Sequence, residues 1–370
     1  MKLLVLGLGT VGSGVIKVLE SNKDKITRKI GDTITVTHAY VKDINKERDV
    51  DVSNIKLIDD IETVKQLDVD MVVEVMGGIN ETKEIVAHFL EKKIPVVTAN
   101  KDMLAVFIDE LEAIADKNNV QFKYEAAVAG SIPIIRTIET SFNSNEITRV
   151  MGILNGTTNF ILSEMGENKS YQDALDEATR LGYAEQDPTN DVDGIDASRK
   201  IVLLARLAFN NLLNLEEVEV RGIRDIDTVD IKNLEGEGYK VKLIGDAERV
   251  GREIFVSVAP KAFKTSHILA NTNGSMNGVF LKGNAFNDAF MYGPGAGCLE
   301  TASAVVSDII NAYNEEPNYD IPTTKARILK KTSKKEFYVR TAEGYTFIQA
   351  HEGQLQKDNT VLQYFELVGD

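Results

Sequence analysis

The sequence KLLVLGLGTVGSGVIKVLE, residues 2–20, gives the clearest indication of the fold. Its first five residues, Lys2–Leu6, form an apolar run typical of a buried parallel strand. Three glycines in the spacing G-x-G-x-x-G come next, and the residues from Val11 to Glu20 show helical periodicity. A strand, a glycine-rich turn and a helix in this order predict a dinucleotide-binding turn.

Each glycine of this turn has a separate physical reason to be there. Gly7 permits the tight turn, Gly9 lets a pyrophosphate approach the backbone, and Gly12 lets the helix pack closely on the strand. The helix N-terminus adds free N–H groups and the positive end of a dipole. The alternative is a glycine-rich turn that binds nothing.

Strand and helix patterns alternate along the next hundred residues. Strands are predicted at 34–41, 71–75, 94–98 and 120–124, and helices at 81–92 and 103–118. This alternation predicts an α/β fold with a Rossmann-type doubly wound parallel sheet, whose ligands bind at the carboxyl ends of the strands. Gly77 and the TANK motif, which includes Thr98 and Lys101, fall at those ends.

The pattern changes after about Gly130. We expect a strand at 147–154, a polar loop at NGTTNF (155–160), helices at 171–181 and 196–209, and strands near 239–244, 253–258, 279–282 and 289–292. Strands that succeed one another without helices predict a second α+β domain with a mixed or antiparallel sheet covered by helices.

Three parts are therefore expected along the chain. Residues 1–130 form the dinucleotide-binding domain, completed by a helix at about 297–316. Residues 131–296 form the second domain. Residues 317–370 form a separate strand-rich extension.

The net charge, the apolar runs and the cysteine content of the chain argue against several classes of function. The chain has 370 residues, 43% of them hydrophobic, and a formal net charge of -15, which argues against nucleic acid as a partner. The sequence has no apolar run long enough to span a membrane, so we expect no membrane association. A single cysteine, Cys298, excludes an internal disulfide and favours a cytoplasmic location.

A second informative stretch is LGYAEQDPTNDVDGIDASRK, residues 181–200. It places five acids before one lysine: Glu185, Asp187, Asp191, Asp193, Asp196 and then Lys200. A calcium loop would need glutamate at its twelfth position, where this sequence has Lys200. The remaining interpretations are a solvated acidic loop and a pocket for a molecule that carries both charges.

Asp196 and Lys200 lie four residues apart, so they share one face of a helix. If that face is exposed, the pair contributes only about 0.2–0.5 kcal/mol. The helix is strongly apolar, however, and we expect the face to be partly buried. A lysine there can give or take a proton, and Lys101 would be a second cation that polarises a carbonyl.

The residues after the second predicted strand bear on the choice of cofactor. Val41 is followed by Lys42 and Asp43, with Lys46 and Arg48 close behind. Lys42 would pair with the 2′-phosphate of NADP, whereas Asp43 would accept a hydrogen bond from the ribose of NAD. The basic cluster favours NADP over NAD, and a surface charge patch is the alternative.

Six motifs in order resemble one known family: G-L-G-T-V-G, T-A-N-K, E-A-A-V-A-G, N-G-T-T-N, L-G-Y-A-E-x-D-P…D-x-x-G-x-D-x-x-R-K and G-P-G-A-G. Over residues 1–318 the chain is similar to homoserine dehydrogenases. The resemblance implies NAD(P)-dependent interconversion of L-homoserine and L-aspartate 4-semialdehyde, a step of threonine and methionine biosynthesis. It also implies a homodimer formed through the second domain.

The resemblance assigns roles to individual residues. Those expected to line the cofactor site are Thr10, Val11, Gly77, Thr98 and Lys101, with Gly182 and Gly297 closing over the nicotinamide. The substrate would be held by Glu185, Asp191, Asp196 and Lys101. Lys200 would donate the proton during reduction, with Lys101 as its partner. A monovalent cation, Na⁺ or K⁺, would bind backbone carbonyls of Glu125, Val128, Gly130 and Ile132.

The C-terminal extension departs from many bacterial members of this family, which end in a threonine-binding ACT domain. About fifty residues are too few for a complete ACT fold, so the sequence assigns no threonine feedback. Two other functions stay open: an amino-acid dehydrogenase of the aspartate type, which acts at the amine carbon, and an inert dinucleotide sensor, which would need neither Lys101 nor Lys200.

Overall fold

The computed structural model describes residues 1–329 and 334–369. Two compact units are formed, unit 1 by Met1–Thr137 with Gly295–Thr323, and unit 2 by Ile138–Pro294 with Thr324–Asp370. In chain order the strands are β1 (Lys2–Leu6), β2 (Thr35–Tyr40), β3 (Lys56–Ile58), β4 (Met71–Glu74), β5 (Val96–Thr98), β6 (Phe122–Lys123), β7 (Ile147–Ile153), β8 (Glu219–Val220), β9 (Tyr239–Val250), β10 (Glu253–Lys264), β11 (Met276–Gly283), β12 (Asn287–Pro294), β13 (Arg327–Ile328), β14 (Lys335–Thr341), β15 (Gly344–Ala350) and β16 (Gln363–Val368).

The helices are α1 (Thr10–Ser21), α2 (Lys23–Ile30), α3 (Ile61–Val64), α4 (Asn80–Glu91), α5 (Lys101–Asn118), α6 (Ile134–Arg136), α7 (Gly156–Gly166), α8 (Tyr171–Arg180), α9 (Thr189–Val192), α10 (Ile195–Phe209), α11 (Thr228–Gly236), α12 (Cys298–Asn314) and α13 (Glu352–Leu355). In the described part of the chain, none of them combines the length and hydropathy that a bilayer crossing requires.

Unit 1 is built on a six-stranded sheet in the order β3-β2-β1-β4-β5-β6, with every pairing parallel. This is the strand order of doubly wound dinucleotide-binding sheets. Strands β1 and β4 are buried on both faces, as expected for a sheet covered by helices. The predicted fold class of this half is confirmed.

Helix α12 belongs to unit 1, although it lies far from the rest of that unit in sequence. It packs on α1, where a side chain at Gly14 would collide with the carbonyl oxygen of Cys298. Val15 and Ile16 of α1 and Val305 and Ile309 of α12 are buried in one apolar cluster. This packing fixes the helix that follows the glycine turn.

Unit 2 is built on a ten-stranded mixed sheet with the main path β12-β11-β7-β9-β10-β16-β14-β15. The long strands β9 and β10 pair antiparallel, whereas β8, β13 and β16 pair parallel with β10. Helix α10 packs against β7, β9 and β10. A mixed sheet with helices was predicted here and is confirmed.

Residues 155–160 were predicted as a polar loop, and that prediction was wrong. Asn155 is the N-cap of α7, and its side-chain oxygen accepts the backbone N–H of Thr158 at 2.8 Å. Phe160 and Ile161 are buried on the same helix. The glycine and threonines have low helix propensity, so the cap and burial in the fold stabilise this helix instead.

The extension is rich in strands, as expected, but it does not form a separate body. Its last strand, β16, pairs with β10, and β14 and β15 extend the same sheet. Arg340 on β14 contacts the fully buried Asp230 of α11 through two hydrogen bonds of 2.6 and 2.9 Å.

Candidate active site

The glycine turn of unit 1 leaves space beside its backbone. Gly7 has a φ of +100°, and a Cβ at Gly12 would overlap the carbonyl oxygen of Gly7, so packing requires both glycines. At Gly9, by contrast, no described residue other than Gly9 and its two chain neighbours has an atom within 4 Å of the place that a Cβ would occupy. Packing does not require glycine at that position, whereas close approach of a pyrophosphate would.

The start of helix α1 suits an anion. Thr10 and Val11 occupy its first two positions, and its first turn carries no acidic residue. The thiol of Cys298 donates to the carbonyl oxygen of Thr10 at 3.0 Å, which fixes the turn against α12. The N–H groups and dipole of this helix end would therefore stabilise a phosphate placed beside Gly9.

A buried carboxylate, Glu74, organises the carboxyl ends of β4 and β5. Glu74 is fully buried and accepts hydrogen bonds from the N–H of Met76 (2.9 Å), the N–H of Gly77 (3.3 Å) and the hydroxyl of Thr98 (2.5 Å). Burial raises the pKa of Glu74 against these hydrogen bonds. Gly77 and Thr98 were predicted from their motifs, whereas the carboxylate that joins them was not.

Asn100 completes this arrangement. Its amide donates to the carbonyl oxygen of Gly78 at 2.7 Å, and its backbone N–H donates to the Thr98 hydroxyl at 3.0 Å. Asn100 is also the N-cap of α5, which begins at Lys101. The Lys101 ammonium lies 3.8 Å from a carboxylate oxygen of Asp102. Lys101 is thus presented at a fixed helix start at this edge of the sheet.

The end of β2 carries the basic cluster noted in the sequence. Lys42 is exposed, and the Asp43 carboxylate accepts the N–H of Asn45 at 2.8 Å. Arg48 donates to the carbonyl oxygens of Asp43 and Lys46, both at 2.6 Å. Asp43 is therefore engaged in a local turn.

The loop around Ala129 and Gly130, both with a φ of +57°, presents its carbonyls differently from a helix or strand. The Glu125 carboxylate accepts the N–H groups of Ile135 and Arg136, both at 2.9 Å, and so holds the loop. Burial raises the pKa of Glu125. Among the described residues, no hydrogen bond reaches the carbonyl oxygens of Val128 or Gly130.

In unit 2, the acid–lysine pair on α10 is largely removed from water. The Lys200 ammonium donates to Asp196 at 2.7 Å and to the carbonyl oxygen of Leu154 at 2.8 Å. The two side chains are only 12% and 11% exposed. The third N–H of this ammonium has no partner within the described residues.

Asn155 joins this pair to a second acid. Its side-chain amide donates to Asp191 at 2.6 Å and to Asp196 at 2.9 Å. The structure thereby brings Asp191, Asp196 and Lys200 into one hydrogen-bonded group. Asn155 was not among the predicted site residues, although an asparagine that precedes buried apolar residues is an N-cap signal.

The other acids of the stretch differ in role. Asp187 accepts the N–H of Thr189 at 3.1 Å, and Asp193 forms an ion pair with Arg224. Glu185 is exposed. Nowhere in residues 1–329 and 334–369 do three or more His, Cys, Asp or Glu side chains form a group that could hold a metal. Two of the five acids thus stabilise the stretch itself.

The two glycines expected near the nicotinamide both have left-handed backbones. Gly182 has a φ of +78° and lies in unit 2, whereas Gly297 has a φ of +141° and caps α12 in unit 1. A glycine turn on a doubly wound sheet in unit 1 and a largely buried acid–lysine pair in unit 2 are typical of a nicotinamide-dependent oxidoreductase, which is the class that these features indicate.

Comparison with known proteins agrees with this class. Residues 7–125 match the family described as "Homoserine dehydrogenase, NAD binding domain", and residues 133–310 match "Homoserine dehydrogenase". A homoserine dehydrogenase of Bacillus subtilis (strain 168) is 46% identical over 308 residues, which cover 83% of this chain and 71% of the relative. One of Lactococcus lactis is 39% identical and covers 90% and 79% respectively.

Solved structures give the same result. The chain is similar to a homoserine dehydrogenase from Thiobacillus denitrificans with a TM-score of 0.90 and 30% identity, over 100% of this chain and 98% of that one. A hyperthermophilic archaeal homoserine dehydrogenase in complex with NADPH has a TM-score of 0.73 and 28% identity, over 86% and 98%. The chain belongs to the homoserine dehydrogenase family. The predicted resemblance and enzyme class are confirmed.

Proposed function

We propose that the chain catalyses the reduction of L-aspartate 4-semialdehyde to L-homoserine, and the reverse oxidation, with Lys200 as the proton donor and acceptor. The observation that carries this assignment is the Lys200 ammonium. It is held by Asp196 and by the Leu154 carbonyl, with one N–H left for a substrate oxygen.

Proton transfer follows from this geometry. A bound reduced nicotinamide would supply hydride to the carbonyl carbon, and negative charge would then develop on the carbonyl oxygen. Lys200 donates a proton to that oxygen, while Asp196 holds the ammonium in place. Lys101 is a second cation that stabilises the same developing charge. In the oxidation, Lys200 takes the proton back from the hydroxyl.

The amino-acid part of the substrate carries an ammonium and a carboxylate. We assign Asp191, Glu185 and Asp196 to the ammonium side, since carboxylates neutralise a cation that loses its water. Asn155 supports the assignment because it fixes the orientation of Asp191 relative to Asp196. Lys101 is assigned to the carboxylate side as well as to the reacting oxygen.

For the cofactor, we assign the pyrophosphate to Gly7, Gly9, Thr10, Val11 and Gly12, and the nicotinamide end to Gly77, Thr98, Lys101, Gly182 and Gly297. We propose a preference for NADP over NAD. The support is that Asp43 is engaged in its own turn while Lys42 is exposed at the end of β2. A 2′-phosphate there would pair with Lys42.

We further propose a monovalent cation, Na⁺ or K⁺, on the carbonyl oxygens of Glu125, Val128, Gly130 and Ile132. Neutral oxygen ligands suit such a hard cation. The carbonyls of Val128 and Gly130, which accept no hydrogen bond from the described residues, support this site. By holding the loop, Glu125 would fix the spacing of the ligands.

We also propose that the enzyme is a cytoplasmic homodimer formed through unit 2. The support for the homodimer is the resemblance of the six sequence motifs to homoserine dehydrogenases, which implies one. The single cysteine supports a reducing compartment.

Two assays of the purified chain test the function: oxidation of NADPH and NADH for the reduction, and reduction of NADP⁺ and NAD⁺ for the reverse oxidation. We expect turnover with L-aspartate 4-semialdehyde, and with L-homoserine in the reverse direction. Turnover with L-aspartate instead would favour the aspartate-type dehydrogenase. Cofactor binding without turnover of any of these substrates would favour the inert sensor.

A further inference from the structure

A five-residue segment of unit 2 lies against residues 189–193. This bridging segment, residues 221–225, follows β8. The N–H of Ile223 donates to the carbonyl oxygen of Val192 at 2.8 Å. Arg224 forms an ion pair with Asp193 and donates to the hydroxyl of Thr189 at 3.0 Å. The segment thus holds both ends of α9, the short helix that carries Asp191.

The contact is too close to allow a side chain between the two segments. A Cβ at Gly222 would overlap the carbonyl oxygen of Val192 and would lie 2.6 Å from the Cα of Asp193. Backbone therefore packs directly on backbone. A displacement of the bridging segment would displace Val192 and Asp193, and Asp191 with them.

One side chain of the last strand holds both ends of the bridging segment. The side-chain oxygen of Gln363, on β16, accepts from the Arg221 guanidinium at 2.9 Å, and its amide nitrogen donates to the carbonyl oxygen of Asp225 at 3.1 Å. The same oxygen accepts the N–H of Tyr364 at 3.0 Å, which fixes the amide orientation. Gln363 is only 7% exposed.

Arg221 adds a second connection to β16. Its guanidinium carbon lies 4.0 Å from the centre of the Tyr364 ring, and it donates to the carbonyl oxygen of Tyr364 at 3.0 Å. Burial lowers the pKa of Arg221. Within the described part of the chain, this guanidinium donates to amide and carbonyl oxygens rather than to a carboxylate. Because these oxygens carry no net charge, no ion pair holds Arg221, and its hydrogen bonds depend on the positions of the neutral acceptors.

We propose that strand β16 is a positioning element of the substrate site, in which Gln363 holds the bridging segment and the bridging segment sets the position of Asp191. The inference rests on the proposed role of Asp191 in substrate binding. Asp191 accepts a hydrogen bond from Asn155, and Asn155 also donates to Asp196. A shift of α9 would therefore be transmitted through Asn155 to Asp196, the acid that holds Lys200. Gln363 and Arg221 are positioning residues that do not touch the substrate.

The test is steady-state kinetics of Gln363→Ala in the full chain. We expect the KM for L-aspartate 4-semialdehyde to rise about fivefold to tenfold, the scale of one or two net hydrogen bonds, with the KM for NADPH within twofold of wild type. Gln363→Glu keeps an acceptor for Arg221 and should restore part of the loss. If Gln363→Ala does not fold, Arg221→Lys should give the same selective rise, because lysine lacks the planar fork.

The matched control is Tyr338→Phe, which removes hydrogen bonds from β14 to Asn233 and Asp230 without touching the bridging segment. It should leave both KM values unchanged. An unchanged substrate KM in Gln363→Ala, a parallel rise in both KM values, or an equal rise in Tyr338→Phe would overturn the inference. Asp191→Asn, measured alongside, separates the two levels: an unchanged substrate KM in that variant would refute the substrate assignment itself.

Discussion

The contribution of the Asp196–Lys200 pair to the free energy of unfolding shows whether it acts as an exposed or as a buried ion pair. An exposed pair with this spacing on a helix contributes about 0.2–0.5 kcal/mol. These side chains are only 12% and 11% exposed, and the charged groups lie 2.7 Å apart. Removing one partner of a buried pair leaves an uncompensated charge and costs about 3–5 kcal/mol. We expect about 3 kcal/mol for Asp196→Ala, because Lys200 keeps its contact with the Leu154 carbonyl.

The assay is a double-mutant cycle of urea unfolding with wild type, Asp196→Ala, Lys200→Ala and the double variant. The double variant should be less destabilised than the sum of the single variants by at least about 1.5 kcal/mol, because it leaves no charge alone. A coupling free energy below about 0.5 kcal/mol would identify an ordinary surface pair and contradict the strong coupling expected of a buried one.

Three further changes test other parts of the account. Glu74→Ala should raise the KM for NADPH about tenfold, because the N–H groups of Met76 and Gly77 and the Thr98 hydroxyl lose their acceptor; Glu74→Gln keeps an acceptor and should have a smaller effect. Lys42→Ala should raise the KM for NADPH about tenfold and leave the KM for NADH unchanged. If wild type and Lys42→Ala have the same KM for NADPH, Lys42 does not bind the 2′-phosphate. Burial opposes ionisation of Asp246, but Lys261 and Arg149 outweigh it and hold the Asp246 pKa well below its usual range. The stability that ionised Asp246 contributes is present above about pH 4 and is lost as the pH falls below that value. The unfolding free energies of wild type and Asp246→Asn should therefore differ by about 3 kcal/mol at pH 7 and converge in acid. A difference in unfolding free energy between the two proteins that stays constant as the pH falls from 7 to below about 4 would contradict this prediction.

The dinucleotide-binding half could be predicted because its signals are local. An apolar strand, three glycines and a periodic helix lie within residues 2–20, and β1 and α1 formed as expected. The acid–lysine pair was equally accessible, since four residues on one helix define its spacing. Helix α7 was missed because its stability comes from a cap and from burial in the fold, which glycine and threonine propensities do not reveal.

The rest depends on contacts distant in sequence. Asp193 resembles a site acid until Arg224, 31 residues later, pairs with it. Asn155 acquires its role from Asp191 and Asp196, which lie 36 and 41 residues away. Strands β8 and β13 are two residues long and carry no detectable periodicity. A single sequence contains these residues but not the pairings that give them their roles.

The turnover of the Lys200→Ala variant tests directly whether Lys200 transfers the proton. NADPH oxidation with L-aspartate 4-semialdehyde should fall at least about a hundredfold, the scale of general acid catalysis. The affinity of Lys200→Ala for NADPH, measured by fluorescence titration, should equal that of wild type. As a control, replacement of an exposed lysine in Lys232→Ala should leave turnover at the wild-type value. Wild-type turnover in Lys200→Ala would contradict proton transfer by this lysine.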